Sequence, residues 1–133
     1  MNLRIFKPDT AFRPSKNTKA VKDKAYLSFI HELPCLIELV TPVEAAHLST
    51  ANRLYGHTGR GKGSKVSDRW CLPLCMEKHI EQHQHNEMLF WGVNGINPHL
   101  AALTLHGLWS DMKDDAVPIA KELILKRELG RYE

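Results

Sequence analysis

Two histidines near the middle of the chain have the spacing of a metal site. His79 and His83 lie four residues apart in a polar segment that is rich in helix-forming residues. On an α-helix this spacing places both imidazoles on one face, one turn apart, where they can hold one metal ion. His85 points to another face. Histidine pairs of this spacing also arise by chance, so the pair alone leaves a metal site and ordinary surface histidines open.

The segments before this helix predict the elements that position it. Two short runs of apolar and β-branched residues, 35–41 and 43–48, flank a Thr-Pro step and predict a hairpin of two strands, with His47 near its end. Residues 49–68 hold four glycines among basic and hydroxyl residues, which is typical of a functional loop. The apolar run 70–74 then leads into the central helix, which we expect to end before a turn at residues 92–97.

Further helices are predicted on both sides of this core. Apolar residues at helical spacing predict a helix that begins at residue 17 or 18 and ends at Leu33, before a proline. An Asn-Pro start predicts a helix over residues 97–109, and an apolar stripe predicts another over residues 115–129. Residues 1–16 lack a sustained period and predict an extended basic arm that orders on a partner.

Length, charge and cysteine count limit the class of protein. With 133 residues and no internal repeat, we expect one domain over residues 17–133. The net charge is only +3, but basic residues cluster in segments 2–24 and 53–65, which could meet a polyanion or form a solvated surface. No apolar leader and no run of eighteen apolar residues is visible, so we expect a cytoplasmic chain without a membrane span. Three cysteines argue against a disulfide framework.

The order of these features suggests a reaction. A histidine at the end of a strand, a basic loop, Asp68 and a histidine-bearing helix follow one another along the chain. A metal held by the helix would withdraw charge from a phosphodiester, while a neutral histidine takes a proton from the attacking water. Such an arrangement is one way to cut a phosphodiester.

Four blocks of the sequence resemble a known family. They are PCLIELVTPVEAAHL (34–48), GKGSKVSD (61–68), LPLCMEKHIEQHQHNEMLFW (72–91) and GINPHLAAL (95–103). In combination they resemble the HNH nucleases of phages and prophages related to the recombination-enhancement nuclease Ref, over about residues 24–103. The resemblance implies a small α+β protein with a ββα-metal core, metal-dependent cleavage of DNA, and a role in phage recombination or DNA processing.

The resemblance also implies roles for individual residues. His47 matches the first histidine of the motif, the general base, and His79 and His83 match the helical metal ligands. Asp68 falls near the central asparagine, which orients the base or touches the metal. Many HNH enzymes have an acidic ligand just before the base, but this chain has Ala46 there.

The third metal ligand and the metal itself stay open. Asp68 is the first candidate for the ligand, Glu44 and His85 are weaker ones, and water can fill the remaining positions. Mg²⁺ or Mn²⁺ would serve the chemistry, and helical histidines also suit Zn²⁺ or Ni²⁺.

The resemblance also implies a second metal, because many proteins of this type contain a structural zinc held by two pairs of ligands. Here the first pair reads Cys35 with Glu38, and the second reads Cys75 with Lys78. Lysine is a poor zinc ligand, and the two replacements have opposite charges that could form an ion pair. We therefore expect that the structural zinc has been lost, with Cys35 and Cys75 as buried thiols. The alternative is a zinc that Cys71 and Glu38 help to hold.

Without that zinc, packing must hold the hairpin to the helix. We expect Leu36, Leu39 and Leu74 to be buried there, because an exposed ion pair contributes at most about 1 kcal/mol.

The glycine-rich loop completes the interpretation. Its basic side chains and bare backbone N–H groups could approach phosphates closely and without base readout. The residues that we predict to contact DNA are Arg53, His57, Arg60, Lys62 and Lys65.

The sequence thus predicts a single HNH-like nuclease domain, with a ββα core over about residues 35–91 and a helical cover over residues 97–130. DNA is the expected partner, and a recombinase or other DNA-processing protein is a further one. Two other hypotheses are a catalytically inactive DNA-binding accessory with the same fold and a metal-stabilised protein-interaction domain.

Overall fold

The protein combines five α-helices with one small antiparallel sheet, as seen in a computed structural model that describes residues 21–59 and 66–132. The chain is therefore of the α+β class. The predicted arm at residues 1–16, the first residues of the predicted N-terminal helix, and Arg60, Lys62 and Lys65 of the loop lie outside the described residues. The elements, in chain order, are α1 (Lys24–His31), β1 (Glu44–His47), β2 (Cys71–Leu74), α2 (Met76–Gln84), α3 (Glu87–Val93), α4 (Pro98–Met112) and α5 (Ala116–Leu125).

The sheet and the helix after it form a ββα unit. Strands β1 and β2 pair antiparallel, with Glu44 opposite Leu74 at one end and His47 opposite Cys71 at the other. Every side chain of β2 is buried, so this strand forms the centre of the core. Helix α2 begins directly after β2, N-capped at Cys75. The helix is thereby fixed against the strand pair.

The predicted hairpin is wrong in one strand. Residues 35–41 form turns, because the Leu39 N–H donates to the Cys35 carbonyl at 2.9 Å and folds the segment back on itself. Leu39 has a φ of 59°, which no strand allows. The Leu36 N–H still donates to the Pro73 carbonyl at 3.1 Å, so the segment contacts β2 through a single backbone hydrogen bond. The partner of β1 is therefore the apolar run before α2.

Two capping side chains and one left-handed residue explain where three helix predictions differ from the structure. Helix α1 begins late because the Asp23 carboxylate accepts a hydrogen bond from the Tyr26 N–H and caps it. The predicted central helix is divided in two, since Asn86 caps a new helix through the Leu89 N–H. Helix α5 ends at Leu125 rather than at residue 129, before Arg127 adopts a φ of 56°.

The predicted Asn-Pro helix start is confirmed. The Asn97 side chain accepts a hydrogen bond from the Leu100 N–H at 3.2 Å, and Pro98 occupies the first turn of α4. The helix ends at Met112, three residues beyond the predicted Trp109. It packs on α5, on β2 and on α1.

One apolar core joins the ββα unit to the flanking helices. Its largest fully buried side chains are Trp91, Tyr26, Phe29, Ile30, Leu33, Leu36, Leu48, Leu72, Leu74, Ile96, Leu105 and Ile124. Leu36 and Leu74 are buried as predicted, and Leu39 packs partly buried against them. In the described residues, no helix has the length and apolar character that crossing a membrane requires.

Candidate metal centre and base

The two helical histidines converge on one point. His79 Nε2 and His83 Nε2 lie 3.0 Å apart, on rings whose centroids are separated by 4.8 Å. Two imidazole nitrogens that share a metal ion lie about 2.0–2.1 Å from it, which puts adjacent ligands about 3 Å from each other. The pair therefore has the separation that one shared cation requires.

A carboxylate from β1 fixes one of these rings. His79 Nδ1 lies 2.9 Å from Glu44 Oε1, so the Nδ1–H donates to the carboxylate and the Nε2 lone pair faces His83. Metal-binding histidines commonly donate their other ring N–H to a carboxylate in this way. Glu44, which the sequence analysis considered as a metal ligand, thus contacts the His79 nitrogen that points away from His83.

His85 is not brought to this pair. It lies just after the last residue of α2, and it lines a separate cavity of about 290 Å³ together with Leu89 and Val93. The backbone at His85 is already extended, with φ −120° and ψ 174°, so this residue does not continue the helix that carries the pair.

The candidate base is held by Asp68. His47 Nε2 lies 2.9 Å from Asp68 Oδ1, and Asp68 Oδ2 accepts the Asp23 N–H at 2.7 Å. The carboxylate is therefore anchored at the start of α1 and fixes the imidazole in turn. With the proton on Nε2, the lone pair of His47 lies on Nδ1, and 37% of the side chain is exposed to solvent. This arrangement can accept a proton from a water molecule.

The base and the histidine pair are separate groups. In the part of the chain that the structure describes, the one group of three close metal-binding side chains is His47, Asp68 and Cys71. Asp68 is thereby placed with the base and away from His79 and His83.

Cys71 is the member of this group that the sequence analysis placed elsewhere, as a ligand of an alternative zinc with Glu38. It lies directly opposite His47 in the strand pair, so both side chains are on one face. Burial, and then the nearby Asp68 carboxylate, raise the pKa of Cys71 to about 12. The free thiol is therefore protonated at neutral pH. The strand register would have indicated its position, but the sequence analysis paired β1 with the wrong segment.

The segment that follows His47 is fixed by two other elements. The Glu87 carboxylate of α3 accepts the Ser49 and Thr50 N–H groups at 3.0 and 2.8 Å. His99 of α4 lies with its Nε2 2.7 Å from the Thr50 carbonyl. These contacts hold the end of β1 in place and thereby position the base.

The four residues that match the predicted zinc-ligand positions form an ion pair beside two free thiols. Lys78 Nζ lies 3.4 Å from Glu38 Oε1 and 3.1 Å from Glu81 Oε2. These carboxylates, Glu81 foremost, raise the pKa of Lys78. Cys35 is buried and its sulfur accepts the Glu38 N–H at 3.5 Å, while Cys75 is only half-buried, contrary to the prediction. Burial raises the pKa of the Cys75 thiol.

The prediction that His57 contacts DNA is wrong. Its side chain is 1% exposed and stacks on Trp70 with ring centroids 4.5 Å apart. Nε2 donates to the Leu48 carbonyl at 2.6 Å, and Nδ1 accepts the Gly59 N–H at 2.9 Å. Both ring nitrogens are thus used inside the protein, and burial lowers the pKa of His57. Arg53, four residues earlier, is exposed.

Comparison with known proteins gives a family for the chain. The profile of DUF968, described as a protein of unknown function, matches residues 7–106. The chain belongs to this family, and the match includes both the histidine pair and the base. Neither the curated proteins nor the solved structures contain a match to this chain.

Proposed function

We propose that this protein is a metal-dependent DNA endonuclease of HNH type that hydrolyses phosphodiester bonds with little sequence specificity. The observation that carries the proposal is the arrangement of β1. At its first residue, Glu44 supports the converging histidines of α2, and at its last residue, His47 is paired with Asp68. One strand therefore supports both a candidate cation site and a candidate general base. In phosphodiester hydrolysis a metal ion can stabilise the charge on the phosphate while a general base takes the proton of the attacking water.

The residues present fit a divalent cation. His79 and His83 would hold it through Nε2, and Glu44 keeps the proton of His79 on Nδ1. When bound, the ion would supply positive charge at the scissile phosphate and the leaving oxygen. Mg²⁺ and Mn²⁺ are the first candidates, and Zn²⁺ or Ni²⁺ also suit imidazole nitrogens.

The proton of the attacking water would pass to His47. Its Nδ1 lone pair accepts the proton, and the Asp68 carboxylate, 2.9 Å from Nε2, then stabilises the imidazolium. Asp68 also keeps the ring in one tautomer, so the lone pair does not alternate between the two nitrogens. Positioning by a buried carboxylate is therefore its role in the proposed reaction.

DNA is the proposed substrate because of the basic loop that follows the candidate base in the sequence. Arg53 is exposed in the described part of this loop, and the sequence continues with Arg60, Lys62 and Lys65. Contacts from such side chains to phosphates give affinity without sequence readout. Phage recombination or DNA processing in the cytoplasm, with a recombinase or other DNA-processing protein as partner, stays part of the proposal.

A second candidate function is a DNA-binding accessory without catalysis. The observation that favours it is Ala46, which is fully buried and cannot offer the acidic ligand that the family resemblance implies there.

Replacement of His47 by alanine separates the two candidates. A plasmid-nicking assay with Mg²⁺ or Mn²⁺ should show a loss of about 10²–10⁴-fold in rate, because a general base contributes that much. Binding of the same DNA, measured by fluorescence anisotropy, should not change. His31→Ala, on the exposed end of α1, is the matched control and should cut like the wild type. Wild-type protein that binds DNA and never cuts it would support the accessory instead.

A further inference from the structure

Three different metal-binding groups meet at the end of β1. A ring nitrogen of His47, an Asp68 carboxylate oxygen and the Cys71 sulfur all lie within 4.8 Å of one another. The strand pair brings His47 opposite Cys71. The Cys71 N–H donates to the Asp68 carbonyl and closes a 3₁₀ turn, in which side chains three residues apart lie on the same side. The cluster therefore follows from the backbone and does not depend on one flexible side chain.

We propose that His47, Asp68 and Cys71 form a Zn²⁺ site whose occupation switches off the base. Imidazole, carboxylate and thiolate are the three ligand types that zinc takes in proteins, and a thiolate discriminates against Mg²⁺. The partly exposed side of His47 leaves the fourth position to water. The loss of the base's activity rests on the proposed function, whereas the Zn²⁺ site itself is independent of it.

The consequence for the base follows from the proton balance. The ion takes the place of the proton between His47 Nε2 and Asp68 Oδ1, which now lie 2.9 Å apart. That proton passes through solvent to Nδ1, and the Cys71 thiol releases its proton to the buffer as the Zn–S bond forms. The site thus gains one Zn²⁺ and loses one proton. With hydrogen on Nδ1 and zinc on Nε2, His47 has no lone pair left for a water molecule.

Co²⁺ is the probe for the site, since a thiolate ligand gives it a charge-transfer band in the near ultraviolet. The full-length chain with His79→Ala and His83→Ala, which removes the other cation site, is titrated with Co²⁺ and back-titrated with Zn²⁺. We expect a band that zinc displaces. Adding Cys71→Ala or Cys71→Ser should abolish the band. Adding Cys75→Ala, which removes a half-buried thiol outside this site, should retain it.

A second variant guards against misfolding of the buried Cys71 replacements. His47→Gln changes a partly exposed side chain and should weaken Co²⁺ binding by more than about tenfold, the lower end of what lost support costs a metal site. A chain without the band, or a band that survives Cys71→Ala in a folded protein, overturns the site.

The regulatory consequence is measured in Mg²⁺-dependent cleavage. Zn²⁺ should inhibit the wild type, and Cys71→Ala should raise the half-inhibitory zinc concentration by more than about tenfold. Equal inhibition of both proteins overturns the regulation. If no divalent ion supports cleavage by the wild type, while the Co²⁺ band still depends on Cys71, the proposed function fails and the cation site stands.

Discussion

Glu44 and His79 join the sheet to the helix through one hydrogen bond, with 2.9 Å between Glu44 Oε1 and His79 Nδ1. The residues are 35 positions apart in sequence, and their contact determines which nitrogen of His79 faces His83. In the proposed metal site, this contact leaves the Nε2 lone pair of His79 available to a cation. Several measurable properties depend on this contact and on the Asp68 contact at the other end of β1.

Glu44→Gln should weaken metal binding without removing a ligand. Glutamine can still bond to His79, but it lacks the charge that raises the basicity of the imidazole, so we expect a loss of about 10–100-fold in Mn²⁺ affinity. Isothermal titration calorimetry checks this. Glu77→Gln, on the exposed side of the same helix, is the matched control. Unchanged affinity in Glu44→Gln would show that the hydrogen bond has no part in metal binding.

Asp68→Ala should impair both cleavage and stability. The change removes the acceptor for His47 Nε2 and leaves the Asp23 N–H without its partner at the start of α1. An unsatisfied, partly buried N–H costs about 1–3 kcal/mol in the free energy of unfolding. Urea denaturation measures that loss. Cleavage should fall further than stability explains, as an assay at a temperature where the variant stays folded would show. If the folded Asp68→Ala variant cuts DNA at the wild-type rate, Asp68 has no part in the mechanism.

The ion pair between Glu38 and Lys78 should contribute little to stability. Glu38→Gln removes a contact whose carboxylate side chain is 48% exposed, so we expect a loss of at most about 1 kcal/mol in the free energy of unfolding. Leu36→Ala, in the same segment but 2% exposed, should lose about 2–5 kcal/mol. Equilibrium urea denaturation of the two variants compares them directly. A larger loss for Glu38→Gln would mean that charge, and not packing, fastens this segment to α2.

Two histidines, one buried and one partly buried, should make the fold sensitive to acid. Burial lowers the pKa of His57 and of His106, so the folded chain keeps them neutral where the unfolded chain, with a pKa of about 6.5, protonates them. The unfolded state therefore binds more protons below that pH, and the free energy of unfolding should decrease from pH 7 to pH 5. Urea denaturation at both values should show a smaller decrease in a protein with His57→Gln and His106→Gln. An equal decrease in the variant and the wild type would show that these two histidines do not cause the loss of stability in acid.

Local signals predicted the helices and failed for the sheet. The Asn97 cap with Pro98 and the apolar stripe of the last helix depend on neighbours in sequence, and both helices are present. Residues 35–41 have strand-like composition, but Leu39 adopts a left-handed φ and the segment closes on itself. Strand pairing is set by contacts between distant segments, which composition does not encode.

In the candidate site, too, local spacing was predictable from the sequence and contacts between distant segments were not. The four-residue spacing of His79 and His83 made their convergence predictable from helix geometry alone. The positions of Glu44 and Cys71 depended on the register of β1 with β2. The sequence analysis therefore kept Glu44 only as a weak candidate ligand and placed Cys71 in an alternative zinc site instead of beside His47. His57 was misassigned because a basic loop suggests exposure, whereas the stacking on Trp70 is a tertiary contact.

Metal content together with cleavage tests the central claim most directly. Wild-type protein, His79→Ala with His83→Ala, and the control His85→Ala are measured by mass spectrometry after Mn²⁺ loading and by plasmid nicking. The account predicts metal-dependent nicking and a bound ion in the wild type and in His85→Ala, and the loss of both in the double variant. Nicking by the double variant at the wild-type rate, or a wild type that neither binds nor cuts with any divalent ion, would contradict it.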